Sequence, residues 1–475
     1  MKTADCHPLR LTPFEEYMLL DDRPAYPMSC FFMIKLRGQF NASVFELALQ
    51  KALENHPLLT SSVTETNGQF YWQNTGKIPE IARLPLDEER RFPASKGINL
   101  FHEPALKVTI CNNAVNPAAV ELDGQTNIIF EIHHSATDAA GIARCIEDTL
   151  CGYALQTGFA ETQRESVEPA LLVRRGSFGR KPGKILRTLP KQFWGLLRAW
   201  TFLTHRVSPL TPEKPDRDAP QPPAGYPAIL YRNLTTTETQ SVQLQAKQLG
   251  ITINDLFLCA AFFAMKHWRG QHVADKNGGY LRIAVPTNLR TSADDRMPAA
   301  NIVSMVFLDR KPKNIQDVSL FYQGIYREMQ HIKRCNLGWA FIHGLTMYQR
   351  VFGGFRKMIQ QERCWTTATV TNLGQLFTDV PLPMREGRVQ IDESLELIGV
   401  ETAPPVRPWT ALGISVLTYA GGMTINLHYD SGVLTQSDAQ SIWDGIVRFV
   451  HLPTTVPEAQ QRGATGSTAH SADAL

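Results

Sequence analysis

The chain alternates between two hydrophobic patterns, one typical of strands and the other typical of helices. Short runs rich in β-branched and aromatic residues predict strands, among them residues 28–36, 105–111 and 128–132. Elsewhere apolar residues recur at helical spacing, as in residues 41–53, where Asn41 occupies the position of an N-cap. Strands and helices that alternate in this way predict an α/β fold of layered sheets and helices.

The second half of the chain repeats this alternation. Thr235 and Glu238 have the spacing of a capping box. Asn254 is predicted to cap a helix that is apolar all round and therefore buried. Two strand-like runs between residues 413 and 429 flank a pair of glycines, which predicts a hairpin with a tight turn.

Residues 174–206 form a basic, amphipathic segment. The segment holds nine Lys or Arg residues and no acidic residue, and its apolar and aromatic residues fall mostly at helical spacing. One interpretation is a helix packed on the protein with its charges in water. The other is a surface that contacts an anionic membrane or receives a phosphorylated carrier or coenzyme. Composition leaves both interpretations open.

A proline-rich stretch, residues 208–227, follows the basic segment and predicts an extended linker between two halves. We therefore divide the chain into an N-terminal subdomain (1–173), the basic segment with the linker (174–227) and a C-terminal subdomain (228–455). The remaining residues, 456–475, include few apolar side chains and predict a disordered tail.

Composition and charge narrow the class of protein. Of 475 residues, 43% are hydrophobic and 20% are charged, which is typical of a globular chain with a large core. The formal net charge of +3 is too small to favour a nucleic-acid partner. The opening residues lack a signal-like pattern, no apolar run reaches membrane-spanning length, and the eight cysteines are scattered. These features predict a cytoplasmic protein, peripherally membrane-associated if residues 174–206 contact lipid.

The candidate chemistry is concentrated where the predicted strand 128–132 ends. Residues 133–138 read HHSATD, and a helical pattern follows them. Because successive strand side chains point to opposite faces, only one of His133 and His134 can face a given cavity. Asp138 stands where it can cap the helix or pair with a cation.

The residues alone allow three interpretations of this stretch. The first is a hydrogen-bonded structural histidine with a capping aspartate, and the second is a histidine that acts as a general base. The third is a metal site, but adjacent strand residues diverge and no third nearby His, Cys or Glu completes a ligand set.

The HHSATD stretch resembles the HHxxxD signature of the chloramphenicol-acetyltransferase-like superfamily. That superfamily includes peptide-synthetase condensation domains and wax-ester, diacylglycerol and polyketide-associated acyltransferases. Its longer signature is HHxxxDG, and Ala139 replaces the glycine here. Other stretches similar to family motifs are residues 11–18, 54–59, 251–261, 282–301 and 369–374. The resemblance therefore covers nearly the whole predicted folded chain.

The resemblance implies two similar subdomains that form a pseudo-dimer around a central channel, so that one chain is sufficient as a monomer. An acyl thioester, carried by coenzyme A or by the phosphopantetheine arm of a carrier protein, would enter from one side. An alcohol or amine acceptor would enter from the other. The resemblance implies neither a permanently bound cofactor nor a metal.

The resemblance also implies roles for the residues of the signature. His134 would be the general base that faces the channel, and His133 would anchor the turn by hydrogen bonds. Asp138 would form a structural ion pair, for which Arg290 is the candidate cation. Such a pair fixes geometry more reliably than it adds stability.

Substrate-binding groups are less clearly indicated than the base. Thr371, Asn372 and backbone amides near Gly141 are the candidate donors to the developing oxyanion. His56, which precedes a proline at a predicted helix end, is interpreted as structural.

Three functions follow as hypotheses. The first is a stand-alone acyltransferase that makes an ester or an amide, with a hydrophobic acceptor suggested by residues 174–206. The second is a condensation enzyme that uses carrier-bound substrates supplied in trans. The third is a non-catalytic relative that recruits a partner, which the alanines at positions 139 and 300 and the absence of the family arginine near His56 leave room for.

Overall fold

The two largest β-sheets, each covered by helices, face each other across a cavity in the computed structural model of the chain. The structure describes residues 8–87, 92–113, 124–161, 165–177, 200–274 and 278–451. Each sheet packs with its helices into a separate hydrophobic core, so the protein has an N-terminal and a C-terminal lobe. The predicted α/β fold with two subdomains is confirmed.

Helices and strands follow one another along both lobes. The helices are α1 (Pro13–Asp21), α2 (Ala42–Leu53), α3 (Ala139–Gln156), α4 (Thr236–Gln248), α5 (Ile253–His272), α6 (Val318–Arg334), α7 (Gly338–Phe352), α8 (Arg356–Ile359) and α9 (Gln436–His451). The strands are β1 (Leu9–Arg10), β2 (Ser29–Gly38), β3 (Ser61–Thr66), β4 (Gln69–Asn74), β5 (Ile81–Leu84), β6 (Leu106–Asn112), β7 (Gln125–His133), β8 (Ile229–Leu234), β9 (Leu281–Asn288), β10 (Val303–Arg310), β11 (Ala368–Gln375), β12 (Met384–Arg385), β13 (Arg388–Val389), β14 (Leu395–Ala403), β15 (Leu412–Tyr419) and β16 (Gly422–Tyr429).

The N-terminal lobe is built on a five-stranded sheet with the order β14-β2-β7-β6-β5. Alternation along β7 sends Ile128, Phe130 and Ile132 into the core that the sheet shares with α2 and α3. β7 pairs antiparallel with β2, with His133 opposite Ser29. The strand therefore delivers the two histidines to the end of the sheet.

The C-terminal lobe is built on a six-stranded sheet with the order β10-β9-β11-β15-β16-β8. The buried helix α5 packs with α6 and α9 over one face of this sheet, as its all-round apolar sequence predicts. The other face looks toward the N-terminal lobe. The predicted hairpin is formed by β15 and β16, and the residues with positive φ in its turn are Ala420 (48°) and Gly421 (78°).

One strand crosses between the lobes. β14 lies within the predicted C-terminal subdomain, yet it pairs antiparallel with β2, with Ala403 opposite Phe31. β14 thus forms the edge of the N-terminal sheet. A division of the chain at the linker separates the two sheets along the sequence except for this strand.

Helix caps follow the sequence with one exception. Thr12 caps α1 in a reciprocal capping box, Asn41 caps α2, and Thr235 caps α4. The prediction that Asn254 caps α5 is wrong. Thr252 is the cap, and it forms a capping box with Asp255, because both residues satisfy backbone donors at the helix start.

The structure describes only part of the segment that connects the two lobes along the chain. Within the basic segment, residues 178–199 lie outside the described residues, and residues 200–204 are helical. The stretch 208–227 contains neither helix nor strand, but it packs on the body of the protein, since Leu210 is buried and its carbonyl accepts a hydrogen bond of 3.1 Å from Arg269. The predicted disordered tail, 456–475, also lies outside the described residues.

Within the described residues, no single helix is both long enough and apolar enough to span a membrane. Only α4 and α5 taken together meet the length and composition criteria, and these two helices are bent by 91° at their junction.

Candidate active site

The turn that follows β7 projects His134 into the space between the lobes. The backbone amide of His134 donates to the carbonyl of Met28 at 2.8 Å, which holds the end of β7 against the start of β2. The amide of Ala136 donates to the carbonyl of His133 at 2.9 Å, so the chain turns at once. α3 then begins after Asp138.

The ring of His134 is held in one tautomer. Its Nδ1 lies 3.0 Å from the carbonyl oxygen of Thr137. A carbonyl only accepts, so Nδ1 carries the proton and Nε2 presents a lone pair. The side chain lines the cavity, and no group of the described residues hydrogen-bonds Nε2. Burial lowers the pKa of His134 below its ordinary value, against the opposing effects of the Thr137 carbonyl and the Asp138 charge.

His133 points away from the cavity and is fully buried. Its Nδ1 accepts a hydrogen bond of 3.2 Å from the amide of Ser135, and its Nε2 lies 3.7 Å from a carboxylate oxygen of Asp22. Burial raises the pKa of Asp22, but the contact with His133 and the amide of Met28 outweigh that effect and leave the pKa lowered. The geometry is that of a side chain that braces the turn.

Asp138 is buried and its carboxylate is occupied by four donors. Arg290 donates from Nη1 to Oδ2 at 2.7 Å and from Nη2 to Oδ1 at 2.8 Å. The amide of Gly141 donates to Oδ1 at 2.9 Å, and the amide of Ile302 donates to Oδ2 at 2.8 Å. Asp138 therefore both caps α3 and pairs with a cation of the other lobe. With every lone pair engaged in this way, the carboxylate is a structural group.

Asn301, in the C-terminal lobe, also holds the turn. Its Nδ2 donates to the carbonyl of His134 at 2.5 Å and to that of Ser135 at 2.8 Å. The sequence alone predicts no role for Asn301, although the residue lies in a stretch that resembles a family motif. Together with Arg290, Asn301 fixes the position of the His134 backbone relative to the opposite lobe.

Gly141 lies at a close contact between the lobes. A Cβ at this position would meet Thr137 Oγ1 at 2.1 Å and the amide nitrogen of Ala300 at 2.9 Å. Its own amide is already bonded to Asp138. Gly141 is absent from the cavity wall. Its amide is therefore not a free oxyanion donor, and the contacts assign Gly141 a packing role instead of the predicted substrate-binding one.

A cavity of about 1230 Å³ lies between the lobes, where the resemblance implies a channel. The N-terminal lobe contributes Met28 and Phe32 to its wall beside His134, and the C-terminal lobe contributes Met305 and Phe307 from β10. Most of the wall is apolar or aromatic, which suits a hydrophobic substrate.

Thr371 and Asn372 lie on β11 and line the same cavity. No hydrogen bond of the Thr371 hydroxyl is found among the described residues. The Oδ1 of Asn372 accepts from the amide of Gly374 at 2.9 Å, which leaves the Nδ2 group of Asn372 as its donor toward the cavity. The structure thus brings both predicted substrate-binding residues and His134 to one cavity.

A second polar group on the cavity wall has no counterpart in the predictions. Arg282, fully buried on β9, donates to both carboxylate oxygens of Asp309 at 2.6 and 2.7 Å and stacks over Phe202 at 4.5 Å. The same carboxylate lies 2.6 Å from Nδ1 of His205. The only feature of the sequence that could indicate this group is an arginine within the apolar run of β9. The sequence does not predict the group itself, because the partners of Arg282 are distant in the chain. This group attaches residues 200–206 to the C-terminal lobe.

His56 is fully buried outside the cavity. Its Nδ1 accepts a hydrogen bond of 2.9 Å from the amide of Ala299, and its Nε2 lies 3.0 Å from Asp148 of α3. The histidine therefore joins the two lobes behind the HHSATD turn, in agreement with its structural interpretation. Within the described residues, no group of three or more His, Cys, Asp or Glu side chains could hold a metal ion.

Comparisons with solved structures identify the fold. The chain is similar to trichothecene 15-O-acetyltransferase from Fusarium sporotrichioides, with 12% identity, a TM-score of 0.66 and coverage of 93% of this chain and 95% of that one. It is similar to the first condensation domain of the calcium-dependent antibiotic synthetase, with 13% identity, a TM-score of 0.64 and coverage of 94% and 95%.

A third similar structure is the starter condensation domain of rhizomide synthetase in complex with C8-CoA, with 13% identity, a TM-score of 0.64 and coverage of 94% of both chains. No family model matches the chain. No curated protein matches it either. The fold that the HHSATD resemblance implies is therefore confirmed by structure, at identities that establish the fold alone.

Proposed function

We propose that this protein is an acyltransferase that moves an acyl group from a thioester to a hydroxyl or amine acceptor, with His134 as the general base. The observation that carries the proposal is the state of the His134 ring. Its Nδ1 is held by the Thr137 carbonyl at 3.0 Å, its burial lowers its pKa, and it lines a cavity between two lobes. A neutral imidazole with a free Nε2 lone pair is the form that accepts a proton.

The reaction follows from this geometry. Nε2 removes the proton from the acceptor O–H or N–H as the acceptor atom attacks the thioester carbonyl carbon. The tetrahedral intermediate collapses as its carbon–sulfur bond breaks, and the departing thiolate takes the proton from the imidazolium. Because a thioester is already activated, no covalent enzyme intermediate is needed. The base contributes about 10²–10⁴-fold and the positioning of two substrates contributes a further large factor.

The negative charge that develops on the carbonyl oxygen requires donors. We assign this role to the Thr371 hydroxyl, with the Nδ2 group of Asn372 as the second donor, because both residues line the cavity that His134 enters. A donor aimed at the developing charge in a largely apolar cavity contributes about 3 kcal/mol. His133, Asp138 and Arg290 act through the turn, as positioning residues.

Arginines at the cavity wall support the proposal that the acyl donor carries phosphate groups. Arg23 and Arg217 both line the cavity, and the carboxylate nearest both of them is Asp218, 3.4 and 3.8 Å away on the exposed surface. Burial lowers the pKa of Arg23 and the positive charge of Arg217 adds to this effect, although the negative charge of Asp21 opposes it. Two guanidinium groups that share one exposed carboxylate favour a donor with phosphate groups, such as coenzyme A or a phosphopantetheine arm.

The similar proteins are consistent with this chemistry. One is named as an O-acetyltransferase, and another was solved in complex with C8-CoA. We propose by analogy that an acyl-CoA or an acyl carrier is the donor here and that no permanently bound cofactor takes part. The mainly apolar wall supports a hydrophobic acceptor.

The test is transfer by purified protein, followed as release of free thiol from acyl-CoA in the presence of a panel of hydrophobic alcohols and amines. We expect His134→Ala to lower kcat by at least about 10²-fold with an unchanged circular dichroism spectrum. His267→Ala is the matched control, since His267 is exposed on α5. If His134→Ala retains full activity, the base assignment is wrong. Activity with an acyl carrier but none with acyl-CoA would identify the donor as carrier-bound.

A further inference from the structure

The mouth of the cavity has an apolar rim. Met347 and Val351 of α7 are each 66% exposed, Phe352 is 61% exposed, and Leu203 of the helical residues 200–204 is 58% exposed. All four side chains border the same cavity. Single exposed apolar residues are common, but several large ones at one opening mark an interaction site.

α7 is anchored from its inner side, which leaves this rim outward. Phe341 packs edge-on against Phe14 of α1 with ring centroids 5.5 Å apart, and Gln349 donates to Glu16 at 2.5 Å. Val351 lies one helical turn after Met347 on the same face of α7. These contacts hold α7 so that the rim side chains remain exposed.

The part of the chain that forms the rim is rich in basic residues. Between residues 333 and 363 the chain holds Lys333, Arg334, Arg350, Arg356, Lys357 and Arg363, with Glu362 as its single acidic residue. Glu362 is already paired with Lys214 at 2.8 Å. Arg350 and Lys357 form no ion pair within the described residues, whereas Arg356 lies 3.3 Å from Glu65. Arg363 and Arg217 line the cavity. The rim therefore combines exposed apolar side chains with an excess of basic residues.

We propose that the surface formed by α7, α8 and residues 200–204 docks on an anionic lipid membrane. Exposed apolar side chains bordered by Lys and Arg match the boundary between acyl chains and phosphate headgroups. Because the rim residues also line the cavity, the cavity opens toward the lipid when this surface is docked on the membrane. A hydrophobic substrate then enters from the membrane without crossing water. This docking does not require catalysis, so it can be tested independently of acyl transfer.

The experiment is co-sedimentation of the full chain with sucrose-loaded vesicles, either of phosphatidylcholine alone or of phosphatidylcholine with phosphatidylglycerol. We expect binding to the anionic vesicles that weakens as salt is raised. The double variant Met347→Glu with Phe352→Glu should lose binding by at least about tenfold. Arg350→Glu with Lys357→Glu should lose a similar factor.

The matched control is Leu320→Glu with Val318→Glu, which adds the same charge to exposed apolar positions of α6 away from the cavity; Leu320 is 72% exposed. This control should bind like the native chain, and so should His134→Ala. The proposal is overturned if the native chain does not sediment with anionic vesicles, or if the α7 variant and the α6 control behave alike. Binding to an acidic carrier protein without vesicle binding would also overturn it.

Discussion

Arg290 of the C-terminal lobe holds Asp138 of the N-terminal lobe through two parallel hydrogen bonds of 2.7 and 2.8 Å. The pair joins the turn before α3 to the segment between β9 and β10. Arg290 also donates to the carbonyl of Ala300 at 3.1 Å. The orientation of His134 therefore depends on how the two lobes are positioned relative to each other.

Removal of this arginine should affect both stability and transfer. Arg290→Ala leaves a carboxylate buried without its cation, and we expect a loss of about 3 kcal/mol or more in the free energy of unfolding. Arg290→Lys should recover part of the stability but little activity, because an ammonium cannot make both bonds in parallel. Urea unfolding and initial rates measure the two effects.

Arg296→Ala is the control for a pair that spans the same lobes at the surface. Arg296 is bonded to Glu168 at 2.5 Å, but both side chains are exposed. We expect a loss of at most about 1 kcal/mol. Equal effects of the two alanine variants would contradict the structural role of the Asp138 pair.

The pH dependence of transfer should report the lowered pKa of His134. Protonation of Nε2 removes the base, so kcat/KM should fall as the pH drops, with a midpoint below the ordinary histidine value of 6.5. The neutral ring is favoured in the folded state, so its contribution to stability is present above pH 6.5 and is lost as the pH falls below that value. A midpoint above 6.5 would argue against burial as the dominant effect.

Gly141→Ala should disturb the contact between the lobes. The new Cβ would overlap Thr137 Oγ1 and the backbone of Ala300. We expect a loss of about 1–3 kcal/mol in the free energy of unfolding, together with reduced activity. Gly324→Ala, on α6 with open space around it, should be neutral or stabilising by up to about 1 kcal/mol. Thermal unfolding compares the pair, and a neutral Gly141→Ala would show that the lobes can separate there.

Arg217→Gln should discriminate between donors. If Arg217 binds a donor phosphate, the variant should raise KM for acyl-CoA by about tenfold. The same variant should leave KM unchanged for acyl-N-acetylcysteamine, a thioester without phosphates. Arg232→Gln, at an exposed pair on β8, is the control for loss of charge alone. An equal rise with both thioesters would assign Arg217 to the structure of the cavity wall.

Local features of the site could be predicted from the sequence. The run that forms β7, the cap at Asp138 and the turn that carries His134 depend on a few consecutive residues. The sequence also indicates that the Gly141 amide is not a free oxyanion donor, because an N-cap aspartate accepts from the amide three residues later. The same rule, applied to Thr252 and Asp255, indicates the observed start of α5.

Features that join distant parts of the chain could not be predicted in this way. The pairing of β14 with β2 depends on register across the lobes, which no local pattern encodes. The attachment of His205 and Arg282 to Asp309 depends on the same kind of long-range contact. The Arg290 partner of Asp138 was identified through family resemblance and not through spacing.

The pairing of β14 with β2 has a consequence for synthesis of the chain. Until residues 395–403 have left the ribosome, the row of amides and carbonyls on β2 has no neighbour on that side, and such open rows recruit strands from other chains. The N-terminal half expressed alone, cut anywhere in 208–227, should therefore accumulate as insoluble material, whereas co-expression with the remainder should rescue it.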